Sequence, residues 1–139
     1  MIILDTNVVS ELLRPAPEQR VVDWLGSLDG SGVYLTTITE AELRLGVAIL
    51  PAGKRRDGLA EMIDQIIRED FAERILPFDS RAAVAFATIA ADRRTKGRPI
   101  AHADCQIAAI AQANGAKVAT RNTPDFADCG IKLINPWKA

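Results

Sequence analysis

Four carboxylates stand where an alternating α/β chain can gather them. Asp5 ends the apolar run Met1-Ile2-Ile3-Leu4, Glu42 lies in TTITEAE, Asp104 in IAHADC, and Asp125 in Asn122-Thr123-Pro124-Asp125-Phe126. Converging with no lysine or histidine between them, four acids repel one another unless a cation neutralises them. Oxygen-only donors select a hard cation, and Mg²⁺, commonly held by few carboxylates with several waters retained, fits best, with Mn²⁺ as the alternative. His102 is the only histidine, so no mechanism with two imidazoles is available and a zinc site is disfavoured. General-base work then falls to carboxylates or bound water.

Each acid also has a plainer reading. Thr39 and Glu42 have the T-x-x-E spacing of a capping box. Asp104 can favour the positive end of a helix, and Asp125 after Pro124 suits a turn or cap. Asp5 is the hardest to explain away, because an ionised carboxylate at the end of an apolar strand costs free energy unless paired or metal-bound. The chain has no GxGxxG after a strand, no Walker A sequence, no GxSxG elbow and no HExxH. A haloacid-dehalogenase-type phosphatase requires DxD at the end of its first strand, and position 7 is Asn.

The elements that must carry these residues are legible as alternation. The unalternating run at residues 1–4 reads as a strand covered on both faces. A helix follows through Val8, Val9, Leu12 and Leu13 until Pro15 and Pro17, and 18–28 carries apolar residues at helical spacing. After the turn Asp29-Gly30-Ser31-Gly32, 33–36 is a second strand and Thr39 starts a helix closed by Pro51. Residues 54–73 form a longer amphipathic helix, 74–78 a third strand, and Asp79 or Ser80 caps a helix to about Lys96. A helix at 103–114 stopped by Gly115 and strands at 117–120 and 132–134 complete the series. Such alternation predicts right-handed βαβ units and a three-layer α/β/α sandwich around a mostly parallel sheet, with the ligand site outside the carboxyl ends of the strands.

Composition agrees with one ordinary domain. The 139 residues are 48% hydrophobic and 25% charged, with a net charge of −1, which excludes disorder, a fibrous repeat and a bulk-charge nucleic-acid binder. No apolar run approaches the roughly 20 residues that span a bilayer. MIILDTN has no basic segment or cleavage site of a signal peptide, so a cytoplasmic location is expected. Cys105 and Cys129 belong to no CxxC or Cys/His set and read as reduced apolar residues.

MIILDTNVVSELLRP, TTITEAELRLGV, IAHADCQIAAIA and VATRNTPDF, in order and at this spacing, with INPW at the close, resemble the PIN-domain nucleases. Within them the sequence is most similar to VapC-type toxins of bacterial toxin–antitoxin pairs, in the FitB-like branch. The resemblance implies one PIN domain over residues 1–139 and a Mg²⁺-dependent endoribonuclease with Asp5, Glu42, Asp104 and Asp125 as its acidic positions. Asp5 and Asp104 are then the most direct metal ligands, while Thr6, Asn7, Thr120 and Asn122 supply supporting hydrogen bonds. Some relatives carry an acid at the place of Asn122, so the fourth acidic role lies between that position and Asp125. The implied partners are an RNA substrate, a cognate antitoxin that points a basic side chain at Asp5, Glu42 and Asp104, and larger assemblies bound to operator DNA through that antitoxin. A non-catalytic PIN-like binding module is the alternative.

Two further expectations concern surfaces. Arg93, Arg94, Lys96 and Arg98, with Arg121 in the fourth block, are candidates to guide RNA phosphates towards the acids. Their plainer reading is a solvated helix end whose cations suit its dipole. Leu43, Leu45, Val47, Ile49 and Leu50 exceed what one helix stripe needs, which predicts a homodimer.

Overall fold

Both faces of a five-stranded sheet are covered by helices in the computed structural model, which describes all 139 residues. The elements run β1 (Ile2–Leu4), α1 (Thr6–Leu12), α2 (Gln19–Gly26), β2 (Val33–Thr36), α3 (Thr37–Ala48), α4 (Lys54–Gln65), β3 (Ile75–Leu76), α5 (Ser80–Thr95), α6 (His102–Asn114), β4 (Lys117–Ala119) and β5 (Leu133–Ile134). Every strand pairing is parallel and the spatial order is β3-β2-β1-β4-β5. From the central β1 the chain therefore builds outwards through β2 and β3, then returns to lay β4 on the other side. That reversal opens a crevice at the carboxyl ends of β1 and β4, the place where an open parallel sheet receives a ligand. Asp5 and Thr120 are the residues that follow those two strands.

Alternation of side chains divides the core. Leu4, Val33, Leu35 and Ala119 face the layer of α1 to α4, where Val8, Val9, Val21, Leu43 and Ile63 meet them. Ile3 and Val118 face α5 and α6, against Ala82, Ile89, Ile107 and Ile110. Burial on both sides explains why the strands are apolar without a polar alternate. Cys105 and Cys129 are buried free thiols, the first pushed up to about 11 mainly by burial.

Three elements depart from the sequence reading. Helix α3 begins two residues earlier than expected because Thr36 caps it, its hydroxyl accepting the Thr39 N–H at 3.1 Å. The Thr39–Glu42 capping box therefore does not form, and Glu42 is left in the second turn, free for another partner. The helix expected over 54–73 ends at Gln65 and continues as one wide turn, Ile66–Asp70, closed by Phe71 N–H on Ile66 C=O at 2.9 Å. The third strand is only two residues long. Of the five surplus apolar residues, Leu43 belongs to the core, Val47 and Leu50 are half-buried, and Leu45 and Ile49 stay 62% and 74% exposed.

Candidate active site

Asp5 is built into the crevice by backbone and side chain together. Its N–H donates to Ala119 C=O at 2.9 Å, which ties the end of β1 to the end of β4. As N-cap of α1 it accepts the Thr6 N–H on Oδ1 at 2.8 Å. Its Oδ2 accepts from the Thr120 hydroxyl at 2.8 Å and from Asn7 Nδ2 at 3.1 Å. The Thr120 oxygen in turn accepts the Asn122 N–H at 3.0 Å, and Asn7 Oδ1 accepts the Arg121 N–H at 3.3 Å. Asp5 is 5% exposed, and its carboxylate is thus oriented by three donors. Burial raises its pKa, Thr120 and Thr6 oppose the rise, and the charges of Glu42 and Asp125 add to it.

Glu42 reaches the same crevice from α3. Its Oε1 accepts the Thr6 hydroxyl at 2.7 Å. The Thr6 oxygen lies 3.0 Å from the Thr39 hydroxyl; since Thr6 spends its proton on Glu42, Thr39 donates to Thr6. Asp104, in the first turn of α6, is half-buried. Its carboxyl is pushed up to about 6, first by burial and then by the charges of Asp5, Asp125 and Glu42, with no hydrogen bond or basic group to oppose them.

These residues line a cavity of about 510 Å³ with Thr6, Asn7, Ser10, Glu11, Arg14, Arg121, Asn122 and Trp137. Asn122 is on the wall; Asp125, exposed on the short turn Thr123–Phe126, is not, and acts on Asp5 and Asp104 only through its charge. None of Asp5, Glu42, Asp104 and Asp125 takes part in an ion pair. No three carboxylates stand close enough to form a closed ligand cage by themselves. Few carboxylates plus retained water is the coordination Mg²⁺ favours, so the donor set fits a hard divalent cation.

The basic run behaves otherwise than expected. Arg93 is 5% exposed, and its guanidinium donates to the carbonyls of Arg98 at 2.7 Å, Asp125 at 3.1 Å and Ala127 at 2.7 Å. It is a fastener between the end of α5 and the segment after β4, and the expectation that it meets RNA is corrected: a phosphate cannot reach it. Lys96 pairs with Asp92 at 3.0 Å and Arg98 with Asp128. Arg94 is exposed, and Arg121 alone of the five lies on the cavity wall.

Glu11 was missed. It is 6% exposed, accepts the Glu18 N–H at 3.0 Å and holds Arg14 at 3.2 Å. The available signal is a polar stripe at helical spacing, Asn7, Ser10 and Glu11, continued past the helix end by Arg14, beside the apolar Val8, Val9 and Leu12.

The PIN domain family matches residues 2–131 of this sequence. The chain belongs to the PIN domain family. It is 51% identical over 137 residues to Toxin FitB of Neisseria gonorrhoeae, covering 99% of each chain. It is 44% identical over 138 residues to VapC ribonuclease Y4jK of Sinorhizobium fredii, again with 99% of each covered. The crystal structure of FitAcB from Neisseria gonorrhoeae superposes on this PIN domain with a TM-score of 0.94 at 50% identity, covering 100% of both chains. This PIN domain is thus a homologue of toxin–antitoxin toxins and of VapC ribonucleases, and its parallel sheet is the one those proteins share. No helix of it is long and apolar enough to cross a membrane.

Proposed function

We propose that this PIN domain, working as a single domain over residues 1–139, is a Mg²⁺- or Mn²⁺-dependent endoribonuclease and the toxin of a toxin–antitoxin pair in the bacterial cytoplasm. The observation that carries the reading is the set of carboxylates without basic partners, Asp5, Glu42 and Asp104, gathered at the β1–β4 crevice. Asp5 and Asp104 would hold the cation most directly, Glu42 would complete the site, and Asn122 stands on the wall where Asp125 contributes only its field. When bound, a divalent cation supplies an activated water and stabilises charge on the departing oxygen of a phosphodiester.

The protein groups orient and exclude. Thr120, Asn7 and the Thr6 N–H lock both oxygens of Asp5, so that its orientation needs no adjustment when substrate arrives. The Thr39–Thr6–Glu42 relay keeps a proton donated to Glu42 Oε1 and fixes the direction of that carboxylate. Asn122 presents an amide to a phosphate oxygen or water. No protein nucleophile is needed, and the lone imidazole, His102, packs against Phe86 with ring centroids 5.0 Å apart, outside the cavity lining.

The inhibiting partner is an antitoxin whose apolar side chains lie along the helices of residues 8–28 and 39–73 and whose Arg or Lys meets Asp5, Glu42 and Asp104. Leu45 and Ile49 on α3 offer the apolar patch for a C2 homodimer, and the assembly meets operator DNA through the antitoxin. Arg94, Lys96 and Arg98 guide RNA from outside the cavity. The test is cleavage of a labelled RNA by the purified chain with Mg²⁺, with EDTA, and by the Asp5→Asn variant. Cleavage only by the wild-type chain with metal supports the reading; none under any condition leaves a binding module.

A further inference from the structure

The cavity wall is not acidic throughout. It also carries Arg14, Arg121 and Trp137, the last being the only hydrophobic residue of the lining. The Arg121 guanidinium lies 5.1 Å from the centroid of the Trp137 ring and donates no hydrogen bond within the protein, whereas its backbone N–H is anchored on Asn7. Trp137 is itself fastened: its backbone N–H donates to Asn135 Oδ1 at 3.0 Å, its backbone carbonyl accepts from Arg20 at 3.1 Å, and the half-buried ring packs on the core beneath. Arg14 projects outwards, 64% exposed, from the buried Glu11 carboxylate that holds it.

We propose that Arg121, stacked on Trp137 with Arg14 beside it, forms a nucleotide subsite that binds the RNA phosphate next to the scissile one and stacks its base on the open face of the guanidinium. The inference rests on the nuclease reading above, because it takes the acids as the place of the cut. RNA carries a phosphate at every nucleotide, and the acids can accommodate one only with a cation. A neighbouring phosphate entering the same cavity meets arginine instead. The guanidinium fork matches two phosphate oxygens, and the indole fixes its plane in advance, which lowers the entropy lost on binding. Bases of single-stranded RNA stack readily on arginine planes and aromatic rings. Glu11 explains why two arginines share this wall: it anchors Arg14 directly and draws Arg121 by charge. The subsite thus favours single-stranded RNA, whose bases are free to stack.

The experiment measures binding of a fluorescently labelled RNA hexanucleotide in EDTA, by anisotropy across salt concentrations, and steady-state cleavage of longer RNA with Mg²⁺. Arg121→Ala is expected to raise Kd and KM about tenfold, more than it lowers kcat, and to reduce the slope of log K against log salt by about 0.7, the share of one phosphate contact on a single strand. Arg121→Lys restores the slope and less than half of the affinity, since lysine does not stack. Trp137→Phe, chosen to keep the packing beneath, weakens binding with the slope retained. Arg81→Ala, remote on α5, is the control that moves neither. Wild-type Kd, KM and slope in Arg121→Ala overturn the subsite. If the wild-type chain cuts no RNA yet Arg121→Ala weakens binding as expected, the subsite stands and the nuclease reading falls.

Discussion

Glu11 and Asp104 occupy walls of one cavity and are perturbed in opposite directions. Glu11 is held below the usual carboxylate range by the Glu18 N–H first, then by Arg14 and Arg121, against the opposing effect of burial. Asp104 has no such donor and is pushed up to about 6 by burial and by three other acids. A second compensated group sits between α3 and α4, where Arg44 joins Glu40 at 2.9 Å and Asp64 at 2.8 Å beside a separate cavity of about 350 Å³. The contrast separates two uses of charge. Carboxylates that finish their hydrogen bonds inside the protein hold elements together; those left facing one another are destabilising until something positive arrives, and so mark where a ligand binds.

The strongest way to break the comparison is to neutralise one acid of each kind. Asp5→Asn and Asp104→Asn are expected to reduce metal-dependent RNA cleavage by more than about 100-fold, beyond what loss of an outer-shell partner costs. Glu11→Gln should leave measurable cleavage while lowering the melting temperature. Equal losses of cleavage in Glu11→Gln and Asp104→Asn would show that the two carboxylates are not differently employed.

Thr120→Val tests how far the orientation of Asp5 matters. It nearly conserves volume at a fully buried position and removes the 2.8 Å donor to Oδ2. A loss of roughly 10- to 100-fold in metal affinity or activity is expected, read by Mn²⁺ titration and initial rates.

Asn122→Asp sharpens the comparison by adding an acid to the wall. Its charge should lower the metal-free melting temperature at pH 8 and raise affinity for Mn²⁺, both measurable by calorimetry. An unchanged Mn²⁺ affinity would show that position 122 takes no part in holding the cation.

The smallest effect is a pH dependence. Because the folded pKa of Asp104 is raised, the folded state binds more protons than the unfolded one between about pH 4 and 6. Metal-free stability therefore falls as pH rises through that window. Asp104→Asn should melt a few degrees above the wild-type chain at pH 8 and lose that advantage progressively as pH falls from about 6 to about 4. A constant difference across this range would remove the repulsion argument. Glu11 has the opposite sign: its lowered pKa contributes stability at neutral pH that is lost as pH falls through the folded value.

Much of the fold was legible because periodicity reports burial directly. The first strand, observed over Ile2–Leu4, and the Gly115 stop, with φ of 63°, stand where local pattern puts them, and of the two caps the sequence offers, Asp79 and Ser80, the structure uses Asp79. The start of α3 was misread because Thr36 and Thr39 are equally good capping residues by type, and only the end of β2 decides between them. Arg93 was misread for a related reason. Charge in sequence reads as solvent exposure, yet three carbonyls from the segments after α5 and β4 were waiting for a donor.

The residue types alone determined the class of chemistry: oxygen donors, one histidine and no nucleophile motif leave a hard cation and water as the expected reagents. They also determined an alternating α/β chain, since hydrophobic spacing is a local property. Which acids share a wall was decided only by the tertiary structure. Strand order is set by long-range pairing, and it is the reversal at β1 that joins Asp5 to Thr120 across 115 positions of sequence and brings Glu42 over from α3. The presence of Arg14, Arg121 and Trp137 on the same wall has the same origin, because residues 14, 121 and 137 share one cavity only through the pairing of β4 with β1.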